Sequence, residues 1–226
     1  MNLIDQLGKK GEHVWQKFCK QFQLTQIQQQ QFLHYMSLLR TWNENINLTA
    51  IVEPATIISH HFQDSLEMAN FVQIEQIKNL VDVGAGGGFP SIPLKIKYPH
   101  LQMVLIEVTG KKISFLRTVI EELGLSGIEL YTLDWRTFLR KTDYAVDLFV
   151  ARASLAPEEL IRMFKPSSPY KEAFLLYWAS KEWQLGKEET PFKKAEYAYQ
   201  IGVKKRRLIL FGNHPIPEIF MKSNVE

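Results

Sequence analysis

The sequence predicts an α/β protein with a doubly wound, mostly parallel sheet over residues 75–226, a helical extension over residues 1–74 packed on it, and a C-terminal antiparallel hairpin. Three observations carry this. From Lys78 onward, short apolar runs alternate with helical stretches, the order that builds a parallel sheet. The first run breaks into the glycine-rich turn Asp82-Val83-Gly84-Ala85-Gly86-Gly87-Gly88. The last two runs are separated by Lys204-Lys205-Arg206, too short a connection for a crossover helix, so they pair as antiparallel strands.

Taken in order, Leu3, Leu7, Val14, Trp15, Phe18 and Phe22 recur at helical intervals and predict a first helix. Thr25 caps a second that carries Leu33, Met36, Leu39 and Trp42 and includes the glutamine-rich run Gln26 to Gln31. Glu53-Pro54 opens a third, since proline suits a first helical turn. Strands are expected at Leu80 to Val83, Met103 to Ile106, Gly127 to Leu133, Val146 to Val150 and Phe174 to Trp178. Helices are expected at Phe89 to Lys97, Lys111 to Leu123 and Pro157 to Met163, and the hairpin strands at Tyr197 to Val203 and Arg207 to Phe211.

The glycine turn between a strand and a helix N-terminus suits a nucleotide-type ligand, because bare backbone lets the ligand lie close and unpaired N–H groups point at it. Its glycines fall as G-x-G-x-G, with Phe89 where the dinucleotide fingerprint has its third glycine, and no G-K-[ST] of a P-loop lies nearby. Glu107 ends the next apolar run, about 20 residues on, where doubly wound folds set a carboxylate for ribose hydroxyls. An ordinary strand-to-helix turn and a solvated strand end are the competing readings.

At 226 residues and 46% hydrophobic content, the chain is long enough for one α/β domain with added helices. A balance of 27 basic to 24 acidic residues, net +3, permits nucleic-acid binding without demanding it. The single cysteine, Cys19, excludes a disulfide framework within the chain and any multi-cysteine metal site, and reads as a small buried hydrophobe. With no secretory h-region and no long apolar stretch, a cytoplasmic protein without a membrane span is expected, which makes the sequon Asn47-Leu48-Thr49 incidental. His60, His61 and Asp64 are not expected to hold a metal; His61 and Asp64, one helical turn apart, are expected to hydrogen-bond within the helical lid and organise the cofactor entrance. The tryptophans are expected in the core.

Trp42-Asn43, Asn47-Leu48-Thr49-Ala50-Ile51, His61-Phe62-Gln63-Asp64-Ser65-Leu66, the glycine turn with Phe89-Pro90, Ile92-Pro93-Leu94, Gly110-Lys111-Lys112 with Phe115-Leu116-Arg117, and Arg152-Ala153 stand in an ordered series. That series resembles the ribosomal small-subunit methyltransferase G family, also called glucose-inhibited division protein B, from about Trp42 to Phe211. The resemblance implies a class I S-adenosylmethionine-dependent methyltransferase fold, Rossmann-like, and methylation of guanine N7 in 16S ribosomal RNA. It implies S-adenosylmethionine held by Asp82, Gly84, Ala85, Gly86, Gly88 and Phe89, with Gly84 and Phe89 at its methionine end and Glu107 on the ribose. Trp135 and Arg136 fall at the adenine position, where the family has a small or aliphatic residue and then Glu, so Asp134 is the acidic candidate here. Arg152 matches the arginine between cofactor and substrate and is the candidate catalytic residue.

Ser91 replaces a usual glycine, His60 stands where arginine is common, and Trp178-Ala179-Ser180-Lys181-Glu182 replaces a Leu-Lys-Gly word, with Lys181 one position out of register. Lys111, Lys112, Arg117, Lys181, Lys204 and Lys205 are the candidates for RNA phosphates, with a solvated surface as the alternative. The expected partner is 16S ribosomal RNA or the small subunit, met by a monomer.

Guanine N7 carries a lone pair and no proton, so its methylation needs alignment and charge stabilisation but no base. The chain fits that chemistry after its fourth strand, where Ala151-Arg152-Ala153-Ser154 lacks the acid or amide, Pro-Pro and aromatic of amine methylation. A C5-methylation nucleophile would be a cysteine, and Cys19 is far in sequence from the sheet. Arg152 offers a planar fork to guanine O6 or a phosphate, or else pairs with Asp147 or Glu158. A changed acceptor, a non-catalytic cofactor-binding RNA or assembly protein, and a dinucleotide dehydrogenase are the alternatives in that order.

Overall fold

The computed structural model describes residue 4, residues 7–180 and residues 182–222. Helix α1 (Gly8–Gln21) buries Trp15 and Phe18, while Leu3 lies outside the described residues. Helix α2 (Gln26–Asn43) begins with the expected cap: Thr25 Oγ1 accepts from the Gln28 amide and the Gln28 side chain accepts from the Thr25 amide. It buries Phe32, Leu33, Tyr35, Met36 and Leu39, one face of the helix. Its glutamines have structural work, because carbonyls at helix C-termini lack partners within their own helix. Gln28 Nε2 donates to the carbonyls of Ile96 and Lys97 at 3.0 and 3.1 Å, and Gln31 Nε2 to that of Leu123 at 2.9 Å.

Glu53 caps α3 (Pro54–Ile57) through the amides of Ala55 and Thr56, as the proline at the first turn leads one to expect. The helix then widens into a π turn (Ile58–Gln63) and tightens again as α4 (Asp64–Leu66). His61 bonds Thr49 within the helical extension, as expected, while Asp64 meets Arg152 of the sheet instead of a partner in the helical lid.

The remaining elements are β1 (Asn79–Val83), α5 (Ser91–Lys97), β2 (Gln102–Ile106), α6 (Gly110–Glu122), β3 (Ile128–Tyr131), α7 (Trp135–Lys141), β4 (Leu148–Arg152), α8 (Pro157–Leu160), β5 (Phe174–Ser180), β6 (Lys193–Ile201) and β7 (Lys204–Phe211). They form a seven-stranded sheet in the order β3-β2-β1-β4-β5-β7-β6. Strands β1 to β5 are parallel, β7 runs antiparallel to β5, and β6 antiparallel to β7. The fold is the doubly wound type with a C-terminal hairpin that the sequence predicts. One sheet face packs Leu80, Leu105, Leu148 and Leu176 in the same core as Trp15, Phe32, Leu39 and Phe62 of the N-terminal helices. The other packs Val81, Ile106, Phe149 and Leu175 against Trp135, Phe138 and Leu160.

Several boundaries differ from the expected ones: β6 begins at Lys193 rather than Tyr197, α8 ends at Leu160 rather than Met163, and α5 starts at Ser91 rather than Phe89. Strand β3 is shorter, since Gly127 turns at a φ of 71° and Leu133 is exposed. Strand β4 starts later, because Asp147 is occupied in accepting the amides of Lys78 and Asn79, and Arg152 becomes its last residue. The hairpin turns at Gly202, with a φ of 58°, so Lys204, Lys205 and Arg206 belong to β7 rather than to the turn. Backbone pairing with β5 and β6 outweighs the polarity of those residues and sends successive cations to opposite faces. Among the described residues, no helix is long and apolar enough to cross a membrane.

Candidate active site

The chain runs β1 to β2 to β3 in one direction across the sheet and returns to lay β4 beside β1, so a crevice opens at the C-terminal ends of β1 and β4. The glycine turn lies there. The amides of Gly84 and Ala85 donate to the Ile106 carbonyl at 2.9 and 3.0 Å, folding the turn back on β2. Gly84 has a φ of 77°, and a Cβ there would stand 2.5 Å from that of Ser154, so glycine alone allows the turn to meet the end of β4. Glu107, buried just after β2, binds the two loops together. Its Oε2 accepts the Gly86 amide at 2.9 Å, and its Oε1 accepts the amides of Val108 and Thr109 at 3.0 and 2.8 Å.

The turn borders a cleft of about 890 Å³. Of the residues expected at a cofactor, Gly84, Ala85, Gly86, Phe89, Glu107, Asp134, Trp135, Arg136 and Arg152 line it. Asp82 and Gly88 stand behind the wall. Asp82 is fully buried and takes a hydrogen bond from the Ser91 hydroxyl. Burial pushes its carboxyl up to about 7 against that hydrogen bond. Gly88 packs against Ile92 and the Tyr35 hydroxyl.

Beside Glu107, Asp134 lines the cleft as expected and also has a structural role. Its carboxylate accepts both the amide and the hydroxyl of Thr137, at 3.0 and 2.7 Å, and so caps α7. Another acid at this wall is Glu159 of α8, which no local pattern marks as a site residue. It receives both prongs of the Arg136 guanidinium at 2.7 and 2.8 Å, and its backbone carbonyl accepts the Trp135 indole N–H at 3.1 Å. The Arg136 hydrogen bonds hold the Glu159 carboxyl below the usual range.

Arg152 pairs with neither Asp147 nor Glu158 but with Asp64, at 2.8 Å, and donates to the His60 carbonyl at 2.6 Å. Its guanidinium lies 5.8 Å from the Phe89 ring centre. Asp64, fully buried, also accepts the Tyr199 hydroxyl at 2.7 Å and pairs with Arg206 at 3.2 Å. Tyr199 and Arg206 are register partners across β6 and β7, which brings both side chains to one carboxylate. Two guanidiniums sharing one carboxylate leave this part of the cleft positive. His61 stacks on Phe89 at 4.2 Å, bonds Thr49 Oγ1 through Nε2 at 2.8 Å, and is pushed down to about 3 by burial and by Arg152. Asn43 shapes the loop that presents Thr49, accepting the amides of Leu48 and Thr49 at 2.9 Å each.

Among the cations expected on RNA, Lys112 lines the cleft, while Lys111, Arg117, Lys204 and Lys205 are exposed outside it and Lys181 lies outside the described residues. Arg206 enters the cleft and Arg207 pairs with Glu196, so the four consecutive cations do not act as one patch. Cys19 is half-buried among the N-terminal helices, its thiol pushed up to about 11 by burial, and it does not line the cleft. No group of three His, Cys, Asp or Glu side chains is placed to hold a metal among the described residues.

A family model described as GidB, rRNA small subunit methyltransferase G, matches residues 28–209. The ribosomal RNA small subunit methyltransferase G of Halalkalibacterium halodurans is 44% identical over 134 residues, covering 58% of this chain and 56% of the relative. That of Macrococcus caseolyticus is 42% identical over 155 residues, covering 68% and 60% respectively. The chain thus spans 56% to 60% of the length of these curated relatives. A putative methyltransferase, yhhF, from Escherichia coli superposes with a TM-score of 0.51 at 15% identity, over 68% of this chain and 87% of that one, a likeness of fold.

Proposed function

This chain belongs to the GidB family, rRNA small subunit methyltransferase G, and from that membership we propose that it transfers a methyl group from S-adenosylmethionine to guanine N7 of 16S ribosomal RNA. It acts in the cytoplasm, as a monomer, on the RNA or the small ribosomal subunit. The observation that carries this reading is the cleft at the C-terminal ends of β1 and β4, bordered by the glycine turn, Glu107 and the Arg152–Asp64–Arg206 cluster.

The residues present fit the cofactor. Gly86 leaves the cleft floor without a side chain, and Glu107, which already accepts three backbone amides, keeps one acceptor position, on Oε2, for a ribose hydroxyl because a carboxylate offers about four. Gly84, Ala85 and Phe89 line the methionine end, and Trp135 with the Arg136–Glu159 pair lines the adenine end. When bound, S-adenosylmethionine supplies an electrophilic methyl group on a sulfonium.

The chain's own work is then to orient the guanine and exclude water. N7 has no proton to lose, and His61, held neutral by burial, stacks on Phe89 rather than serving as a base. Asp64 fixes the Arg152 fork through Nη2, so its remaining N–H groups are the donors for guanine O6. The test is to map N7-methylguanosine in 16S ribosomal RNA from cells with and without the protein, and to repeat the reaction with purified protein, S-adenosylmethionine and small subunits. A mark independent of the protein would overturn the reading.

A further inference from the structure

Three tryptophans, Trp15, Trp135 and Trp178, are buried as expected, and the indole N–H groups of Trp135 and Trp178 donate to the backbone carbonyls of Glu159 and Asp64. Trp183 is different. It is half-buried, lies just beyond β5, and lines the cleft. Its amide donates to Ser180 Oγ at 3.2 Å, and its carbonyl accepts from Arg207 Nη2. The Arg207 guanidinium carbon lies 5.9 Å from the indole centre. Tyr177 lies beside it, with ring centres 5.6 Å apart and planes inclined by 59°. Tyr177, paired in register with Ala151 of β4, also lines the cleft.

We propose that Trp183 and Tyr177 form a stacking subsite for an unpaired RNA base at the β5 side of the cleft. The subsite deepens the RNA-methyltransferase reading and rests on it. An indole backed by a guanidinium is held without freedom to rotate away, and its ring presents a flat apolar area beside the positive Arg152–Arg206 end. That is the chemistry by which unpaired bases are held: aromatic faces for the base, cations for the backbone. A duplex, with its bases stacked on one another, has no face to offer such a platform. The competing role for Trp183 is packing alone, anchoring its segment on β5, and it makes opposite predictions about RNA.

The experiment uses the full chain with Trp183→Ala and Trp183→Phe. Binding of a short single-stranded RNA and of the duplex of the same sequence is measured by anisotropy, S-adenosylmethionine binding by calorimetry, and methyl transfer to protein-free 16S RNA as separate KM and kcat. For Trp183→Ala we expect the single-strand Kd and the RNA KM to rise at least about fivefold, the preference over duplex to disappear, and cofactor affinity to stay within about twofold. Trp183→Phe retains most of the preference, because the ring is kept even if packing is loosened. Unchanged RNA affinity in Trp183→Ala, or a phenylalanine variant as weak as the alanine one, overturns the subsite. If wild-type protein transfers no methyl group yet binds single strands through Trp183, the methylation reading fails and the subsite stands. If it methylates RNA but binds it independently of Trp183, the reverse holds, and absence of RNA binding overturns both.

Discussion

Glu107 Oε2 accepts the Gly86 amide at 2.9 Å, so the carboxylate expected to meet a ribose also holds the glycine turn in shape. Its Oε1 holds the amides of Val108 and Thr109. Replacing one oxygen by NH₂ in Glu107→Gln turns a donor against a donor at one of the two loops. Cofactor binding is expected to weaken by about 1 to 3 kcal/mol, and the melting temperature to fall with it. Calorimetry and melting read the two effects, and loss of binding at unchanged stability would assign Glu107 to the ligand alone.

Gly86 has a φ of 57° and an open space where a Cβ would go, with the nearest atom 3.8 Å away. Gly86→Val therefore meets little steric conflict with the protein and acts through backbone strain, about 1 to 2 kcal/mol or more for a branched side chain, and through volume thrust into the cleft. A folded variant with sharply reduced affinity for S-adenosylmethionine is expected. Wild-type affinity in calorimetry would remove the turn from the site.

Arg152→Lys keeps the charge but not the planar fork, whose Nη2 meets Asp64 and His60 while its other N–H groups are left for the guanine. Methyl transfer at saturating cofactor should drop at least about tenfold, a barrier increase of about 1.4 kcal/mol. Cys19→Ser should stay within about twofold, because no covalent intermediate forms at N7. Full activity of the lysine variant, or a folded but dead serine variant, contradicts the mechanism.

Asp64→Asn removes the charge that Arg152 and Arg206 share, in a fully buried position. Leaving two guanidiniums against a neutral amide is expected to destabilise the fold by about 3 to 5 kcal/mol. Chemical denaturation measures it. A change under about 1 kcal/mol would mean that solvent reaches the cluster.

Asp82 is raised by burial from 3.8 to about 7, so the folded state holds its proton where the unfolded chain has lost it. Its contribution to stability is full below about pH 4 and is lost as pH rises to about 7. His61, lowered from 6.5 to about 3, acts with the opposite sign, its stabilisation lost as pH falls through that window. The quantity to measure is therefore the melting difference between wild type and Asp82→Asn. It should favour wild type more at pH 5 than at pH 7.5, and a constant difference would show that Asp82 ionises normally.

Local pattern along the chain was enough for the sheet class, the helical extension, the Thr25 and Glu53 caps, the glycine turn and the Glu107 position, because each rests on periodicity or on a spacing of a few residues. The family resemblance, not local pattern, marked Arg152 as a site residue, and its nearby candidate partners Asp147 and Glu158 were not the ones it meets. Folding supplied that partner: Asp64, Tyr199 and Arg206 come from the helical extension and from two hairpin strands, and they meet because of strand register and a π turn that no short pattern encodes. Long-range packing also sent Asp82 behind the wall and brought Glu159 and Trp183 to the cleft from distant segments, whereas the Asp134 cap on Thr137 is a local contact. Short patterns report what each residue can do to its neighbours along the chain. Which charges share a buried carboxylate is fixed by contacts between segments, where the cost of burying an unpaired charge selects the partner.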